Sequence, residues 1–366
     1  MSNTVYINGK FTAQPTTGVQ RVASRLVQAL DARAQGLPGR WVLLCPPGGQ
    51  PPALQHIECQ VVGQRQGPLH LWEQVQLPLA ARRGWLLNLA GAAPWSARRQ
   101  VCLIHDAAVF DHPEAYTRAF VLWYRMLFRH LVRRGAALLT VSEFSRQRLA
   151  AALQVDAARI AVVPNGADHL HGIRSDAEVL HRLGLAGRRY LLAVGSANPT
   201  KNLELLVAAF AALPLASSPD AKARLVIVGG VNERVFAGLH ARDDPAGVQR
   251  TGHLGDGALT TLYAHARALV FPSRYEGFGL PPLEAMGCGC PVLASRAASM
   301  PEVCGGAALY VDPDSRTALT AAMQRILEDD ALAGRLRRDG LLQAARYTWA
   351  ASAERLLAAM PTGSLT

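Results

Sequence analysis

The sequence predicts an α/β chain built as two tandem, doubly wound domains with parallel sheets. Short apolar, β-branched runs alternate with longer segments of helical period, as in a parallel sheet covered by helices. Its 366 residues, half of them hydrophobic, suffice for two ordinary cores. A polar, histidine-rich interruption from Asp168 to Arg189 parts the two series.

In the first series the expected strands are Thr4 to Asn8, Trp41 to Pro46, Ile57 to Val62, Gly84 to Ala90, Val101 to His105, Ala137 to Ser142 and Ile160 to Pro164. Helices are expected over Val19 to Leu30, Ala115 to Arg134 and Glu143 to Leu153, with an irregular loop at Pro46 to Pro52. The second series gives strands at Tyr190 to Gly195, Leu225 to Gly230, Val248 to Leu254, Ala268 to Pro272, Pro291 to Ser295 and Ala308 to Val311. Between and after them, Asn202 to Leu213, Ala258 to Ala266, Pro281 to Gly287 and Ser315 to Tyr347 read as helical. Trp349 to Met360 forms a separate amphipathic helix with Leu356, Leu357 and Met360 on one face. The expected domains are residues 1–170 and 171–346, followed by a terminal piece at 347–366. Ligands of such sheets bind at the carboxyl ends of the strands, so a substrate cleft between the domains is expected.

No apolar stretch behind a basic cluster opens the chain, and no run approaches the length of a membrane-spanning helix. A cytoplasmic protein is expected. Its net charge of +11 suits nucleic acid, an anionic membrane surface or a phosphorylated substrate. Distribution favours the membrane: eleven arginines lie between Arg82 and Arg148, interleaved with Trp72, Trp85, Trp95 and Trp123. Basic and aromatic residues together are what an interfacial surface places among lipid headgroups. Peripheral contact with a membrane is therefore expected, and nucleic acid is not. Individually, each arginine also fits a solvated helix face and each tryptophan a core position.

All six cysteines, Cys45, Cys59, Cys102, Cys288, Cys290 and Cys304, read as small packing hydrophobes. Cys288 and Cys290 form only a CxC, and His169 with His171 lacks a third ligand, so those histidines read as ordinary surface residues. No metal and no cofactor is expected.

The most informative segment is Pro272 to Gly287, PSRYEGFGLPPLEAMG. A strand ends at Pro272, a glycine-rich loop follows, and Pro281 and Pro282 suit the first turn of a helix, where missing N–H groups cost little. Gly277 and Gly279 permit close backbone approach, and the amides of Gly279 and Leu280, beside Phe278, lie where a helix amino terminus attracts phosphate. Glu276 is expected in the loop and Glu284 in the first helical turn, one carboxylate for a sugar and the other for a ribose. Either glutamate alone is also explained by a tight turn or by the helix dipole.

Three further strand ends carry chemistry. Val194 to Asn202 forms a loop before a helix, from which Lys201 can neutralise a departing diphosphate, with Ser196 beside it. Gly18, in the run Thr16 to Arg21, precedes a helix and permits close approach. His105, followed by Asp106, ends a strand where an imidazole facing the cleft can bond a sugar hydroxyl. Asp111, His112, Pro113 and Glu114 are expected to start the long helix that follows.

The segment EGFGLPPLEAMGCGCPV resembles the signature of retaining glycosyltransferases of family 4, a glutamate, seven residues and a second glutamate. The loop at Lys201 resembles that family's phosphate-binding loop, and the run at Gly18 resembles its first-domain glycine loop. The pair His105 and Asp106, Val141 to Ser145 and Val163 to Gly166 also match family segments. The family loop commonly pairs its lysine with an arginine; Ser196 and Thr200 stand there instead, and Arg274 is the candidate substitute.

The resemblance implies a GT-B architecture: a Rossmann-like acceptor domain, a Rossmann-like nucleotide-sugar domain, and a last helix that packs back on the first domain. It implies a retaining, metal-independent hexosyltransferase of the bacterial mannosyl- and rhamnosyltransferase kind. Its partners would be a nucleotide sugar and a lipid-linked or glycan acceptor of surface-polysaccharide assembly. Glu276, Lys201 and His105 would then be catalytic, and the backbone at His253 and Leu254 would face the nucleobase. GDP-mannose is the first expectation; a UDP-hexose or dTDP-rhamnose remains open. The alternatives are a sugar-nucleotide epimerase and a non-catalytic sugar-nucleotide binding protein. Leu225 to Gly230 does not complete GxGxxG, which disfavours a dinucleotide oxidoreductase.

Overall fold

The computed structural model describes residues 4–63, 67–196, 198–214, 223–229 and 244–361. Two compact units divide the chain: the first takes in residues up to Asp111, Ala119–Gly166 and the segment from Thr348 onward, the second His112–Arg118 and Ala167–Tyr347.

Seven strands form the first unit's sheet: β1 (Thr4–Asn8), β2 (Arg40–Cys45), β3 (Glu58–Val61), β4 (Trp85–Asn88), β5 (Gln100–Leu103), β6 (Ala137–Thr140) and β7 (Ile160–Val162). They are all parallel, in the order β3-β2-β1-β4-β5-β6-β7. The second unit carries β8 (Arg189–Val194), β9 (Ala223–Val228), β10 (Val248–Gly252), β11 (Ala268–Phe271), β12 (Val292–Ser295) and β13 (Ala308–Val311). These too are parallel, in the order β10-β9-β8-β11-β12-β13. Strand order therefore reverses between β1 and β4 in one sheet and between β8 and β11 in the other. A crevice opens at the carboxyl end of the strands at such a reversal.

Central strands are buried on both faces, which is why they read as continuous apolar runs rather than as alternations. All four residues of β11 are buried, and so are Tyr190 to Ala193 of β8. Leu191, Phe210, Leu225, Val270, Leu293 and Met323 lie in one core cluster of the second unit. The edge strand β3 is exposed along its whole length, so Cys59 is exposed and is not the packing residue its apolar neighbours implied.

The expected strands are present, most of them shorter at one or both ends. Gly230, at the end of the expected Leu225 to Gly230 strand, and Ala197, in the lysine loop, lie outside the described residues. The expected helix Ser315 to Tyr347 is two helices, Arg316–Glu328 and Asp330–Ala344. Asp329 between them is extended (φ −92°, ψ 96°), and its side chain accepts from the Leu332 amide at 2.8 Å, capping the second helix. The long helix starts at Arg118, after a 3-10 turn at Pro113–Ala115 and an extended Tyr116 (φ −132°, ψ 163°). The polar interruption holds a short helix, Glu178–Arg182. A stretch with no helical expectation, Leu69–Ala80, is helical with a π-helical turn at Trp72–Gln76. Among the described residues no helix is long and apolar enough to cross a membrane.

The helix Trp349–Ala358 lies against the helix Gly18–Asp31. Trp349, Ala353 and Leu356 are buried, Ser352 Oγ donates to Pro164 O at 2.5 Å, and Arg33 pairs with Glu354. A side chain at Gly166 would run into Trp349, its Cβ falling 2.3 Å from the Trp349 nitrogen.

Candidate active site

In the second unit the chain after β8 and the chain after β11 meet at the strand-order reversal. Asn198 Oδ1 accepts from the Thr200 amide (2.9 Å) and hydroxyl (3.0 Å), closing the 3-10 turn Pro199–Lys201. Asn202 follows in the left-handed region (φ 59°), a conformation its short polar side chain tolerates. Its amide Nδ2 donates to Pro272 O (3.1 Å) and Pro313 O (2.6 Å), while the Arg274 amide donates to Thr200 O (2.8 Å). The turn is thus stitched to the end of β11.

That stitching places Lys201 Nζ 2.6 Å from Glu276 Oε1, with the Phe271 ring centroid 5.7 Å away. Both side chains keep some solvent contact, 22% for Lys201 and 10% for Glu276. A charge-assisted bond of this length fixes both heads, yet the pair remains reachable by an anionic ligand.

The loop carrying Glu276 is held from beneath by Ser299, a residue with no signature in the sequence. Its hydroxyl lies 3.0 Å from Glu276 O and 2.9 Å from Phe278 O, and it is fully buried. Gly279 then adopts φ +97° as the cap of helix Leu280–Gly287. A Cβ there would fall 2.1 Å from Met300 Cε, so the position needs glycine on both counts. With prolines at the next two positions, Gly279 and Leu280 supply the only N–H donors among the cap and the first three helical positions. The helix starts one residue ahead of the prolines. Glu284 is therefore in the second turn, not the first.

Glu284 is deeply buried. Its Oε1 is 2.9 Å from His169 Nε2 and its Oε2 accepts from the Tyr263 hydroxyl at 3.0 Å. Burial, with the Glu284 charge beside it, holds the Tyr263 phenol protonated well above its usual range. His169 is accordingly no surface residue: the 3-10 turn Asp168–Leu170 tucks it and Leu170 inside, while His171 is exposed.

Arg274, the candidate partner for Lys201, is exposed and turned to Asp314, its Nε 2.7 Å from Oδ1. Ser196 is half-buried beyond β8. The ends of β8, β9 and β10 draw together through backbone bonds, Gly195 N to Val228 O at 3.0 Å and Gly229 N to Gly252 O at 2.9 Å. Gly229 (φ +139°) leaves no room for a side chain, because its Cβ would lie 1.9 Å from Gly195 O. Beyond Gly252, His253 is exposed and Leu254 half-buried. Phe278 and Gly277 are buried, with the Phe278 ring edge-on to Tyr347 at 5.7 Å.

Gly18 and His105 belong to the first unit. Gly18 is the first residue of its helix, exposed, behind a Thr17 cap whose amide donates to Gln20 Oε1 at 3.3 Å. His105 lies two residues beyond β5, with Nε2 2.9 Å from Leu89 O. A carbonyl only accepts, so Nε2 carries the proton and Nδ1 is an acceptor. Burial pushes the imidazole pKa down to about 4 against the smaller opposing effect of that bond. Asp106 turns back to cap the short helix Ala108–Asp111 through the Ala108 amide at 2.8 Å. The first unit's own strand reversal holds a pair that sequence reading missed: Lys10 Nζ lies 2.6 Å from Glu73 Oε2. Asn8 Nδ2 donates to Glu73 Oε1 (3.1 Å) and Asn88 Oδ1 (3.0 Å), and Glu73 sits on the π-helical turn.

Two family models match the chain, "Glycosyltransferase Family 4" over residues 16–169 and "Glycosyl transferases group 1" over residues 181–342. The O-antigen chain mannosyltransferase B of Escherichia coli is 34% identical over 260 residues, 70% of this chain and 68% of that protein. The serotype-specific mannosyltransferase WbdA of Escherichia coli is 27% identical over 285 residues, 72% of this chain but only 33% of that longer protein. Among solved structures, the sucrose-phosphate synthase of Thermosynechococcus elongatus superposes with a TM-score of 0.71 at 22% identity, covering 97% of each chain. Family models over both halves, a relative matched over two thirds of its length and two Rossmann-like sheets agree: the chain belongs to glycosyltransferase family 4 and is a glycosyltransferase with the GT-B fold.

Proposed function

We propose that the chain transfers mannose from GDP-mannose, with retention, to a lipid-linked or glycan acceptor in surface-polysaccharide assembly. The reading rests chiefly on the Lys201–Glu276 pair, a partly open cation and carboxylate whose loop leads into the helix start at Gly279 and Leu280. The mannosyl specificity is drawn from the mannosyltransferase names of the relatives. In this mechanism the bond between the anomeric carbon and the diphosphate oxygen breaks as Lys201 and the two amides take up the developing negative charge. That diphosphate oxygen accepts the acceptor hydroxyl's proton on the same face, and the acceptor oxygen closes onto the anomeric carbon. Glu276 orients the sugar. Glu284 offers the ribose hydroxyls the lone pairs left over from His169 and Tyr263, and His105 accepts a sugar hydroxyl at Nδ1. Because the ammonium and amides carry the charge, no metal is required, and a chelator is expected to leave the rate unchanged. The enzyme would work at the cytoplasmic face of the inner membrane, in peripheral contact with it.

Incubation of the purified protein with a panel of nucleotide sugars, with and without acceptor glycans, tests the reading. Acceptor-dependent release of GDP from GDP-mannose, with an α-linked product, is the expected result. Conversion without an acceptor would make the chain an epimerase, and binding without turnover would make it a sugar-nucleotide binding protein.

A further inference from the structure

Between β5 and the body of the helix Arg118–Arg133, the run His112–Arg118 clusters with the second unit, although the chain on either side of it belongs to the first. Sequence reasoning places only a helix start here. Within the second unit, His112 meets the ring of Tyr275 edge-on, the centroids 4.8 Å apart and the planes at 70°. Tyr275 is buried and directly precedes Glu276.

Two local features fix the imidazole. Pro113 follows it and opens the 3-10 turn Pro113–Ala115, which buries Ala115 and ends with the Tyr116 amide donating to Pro113 O at 3.2 Å. Glu114 brings its carboxylate back to the ring, Oε1 lying 3.1 Å from His112 Nδ1. A carboxylate accepts, so Nδ1 carries a proton there.

The loop on the other side of the contact is pinned through its backbone at three points. The Arg274 amide donates to Thr200 O, and the Ser299 hydroxyl holds Glu276 O and Phe278 O. Tyr275 stands between the first two of these pins, and its ring packs on His112. An aromatic pair prefers a particular geometry, so the imidazole sets where Tyr275 rests. One peptide further on, that placement sets the direction in which the Glu276 side chain leaves the backbone.

We propose that His112 is a positioning residue for the transfer: through Tyr275 its ring keeps Glu276 aligned, and it touches no substrate itself. The inference rests on the reading of Glu276 as the group that orients the donor sugar. With Glu114 on Nδ1 and Tyr275 against the ring, His112 is engaged in holding structure rather than in moving a proton. Its side chain is 32% exposed, so its loss should leave the fold standing.

GDP release from GDP-mannose in the presence of acceptor tests this in His112→Ala, His112→Phe, Tyr275→Leu and the His112→Ala/Tyr275→Leu double variant. Each is also titrated calorimetrically with GDP. A misplacement of about 1 Å costs about 10²-fold, so His112→Ala is expected to lower kcat by about 10–100-fold. His112→Phe, which keeps a ring without its nitrogens, should recover most of that loss. GDP affinity should stay at the parent value throughout. The double variant should be no slower than the slower single one, because both changes break the same contact.

Full kcat in His112→Ala would overturn the proposal. So would a phenylalanine variant no better than alanine, which would assign the effect to the ring nitrogens, or a double variant that loses the product of both single losses. Weakened GDP binding in His112→Ala would make the residue a donor ligand and overturn it too. Denaturation of the same four proteins reads the contact without any turnover, and strictly additive losses there would also count against it. Undiminished transfer by Glu276→Ala strikes the catalytic reading, whereas an inactive Glu276→Ala beside a fully active His112→Ala strikes the positioning alone.

Discussion

Lys201 and Glu276, 75 positions apart in the chain, meet at 2.6 Å where strand order reverses between β8 and β11. Each is held by backbone stitching rather than by side-chain packing, through Asn202 on one side and Ser299 on the other. The ammonium is oriented before any donor arrives, and the carboxylate keeps it from collapsing onto another surface acid.

Removing either member of the pair should therefore injure the chemistry while leaving a folded, somewhat less stable protein. Glu276→Ala is expected to abolish transfer, and Lys201→Ala to lower kcat by about 10²–10³-fold with partial recovery in Lys201→Arg. The pair is largely buried, 22% and 10% exposed, so losing its charge-assisted bond should also cost about 1–3 kcal/mol of stability, with the fold retained. Steady-state kinetics with denaturant melts check both. Undiminished turnover in Glu276→Ala would remove that residue from the mechanism.

Glu284 should behave in the opposite way. Truncation to alanine strands His169 Nε2 and the Tyr263 hydroxyl in the interior, each costing about 1–3 kcal/mol. A fall of about 2–4 kcal/mol in unfolding free energy is expected for Glu284→Ala, and a smaller one for Glu284→Gln, whose amide oxygen still accepts one bond. Calorimetric titration of the more stable Gln variant with GDP then reads the ribose contact separately from the fold.

Ser299→Ala removes the hydroxyl that pins the loop from below. The expected loss is about 1–2 kcal/mol of stability, together with a lower kcat while the pH profile of the parent is kept. An unchanged kcat in a destabilised protein would leave Ser299 with a purely structural role.

His105 should remain neutral through ordinary working pH. An unfolded chain takes up a proton on this ring near pH 6.5, whereas the folded ring stays neutral down to about 4. The stability contributed by the neutral ring is full above pH 6.5 and is lost as pH falls through that window. Nitrogen-15 spectra of the imidazole should show a midpoint well below 6 and an Nε2-protonated tautomer. A midpoint near 6.5 would contradict the desolvation that lowers this ring's pKa.

The fold was legible because parallel strands buried on both faces leave runs such as Tyr190 to Ala193 with no polar alternation to confuse them. Helix Glu143–Leu153 coincides with its expected bounds, since Ser142 caps it through the Ser145 amide at 3.0 Å, a local signal. The stretch Leu69–Ala80 was not legible, because outward-facing leucines and Pro78 blur its period and its π-turn shifts the phase. Motif and strand-end position gave Lys201 and Glu276 without giving their contact. His169 was missed because its partner is 115 residues away, and a histidine in a polar stretch carries no local mark of burial. Arg274 was misleading for the same kind of reason: only the fold reveals that Asp314 lies beside it.

The helix Trp349–Ala358 has a further consequence for how the protein is made. It covers the helix Gly18–Asp31 of the first unit, so that helix is covered by a segment translated more than three hundred residues after it. Until that segment leaves the ribosome, the apolar side of Gly18–Asp31 that will meet Trp349 and Leu356 has nothing to cover it. The second unit, continuous apart from the short segment His112–Arg118, can fold during synthesis. The first stays open to chaperones until the helix Trp349–Ala358 has been made.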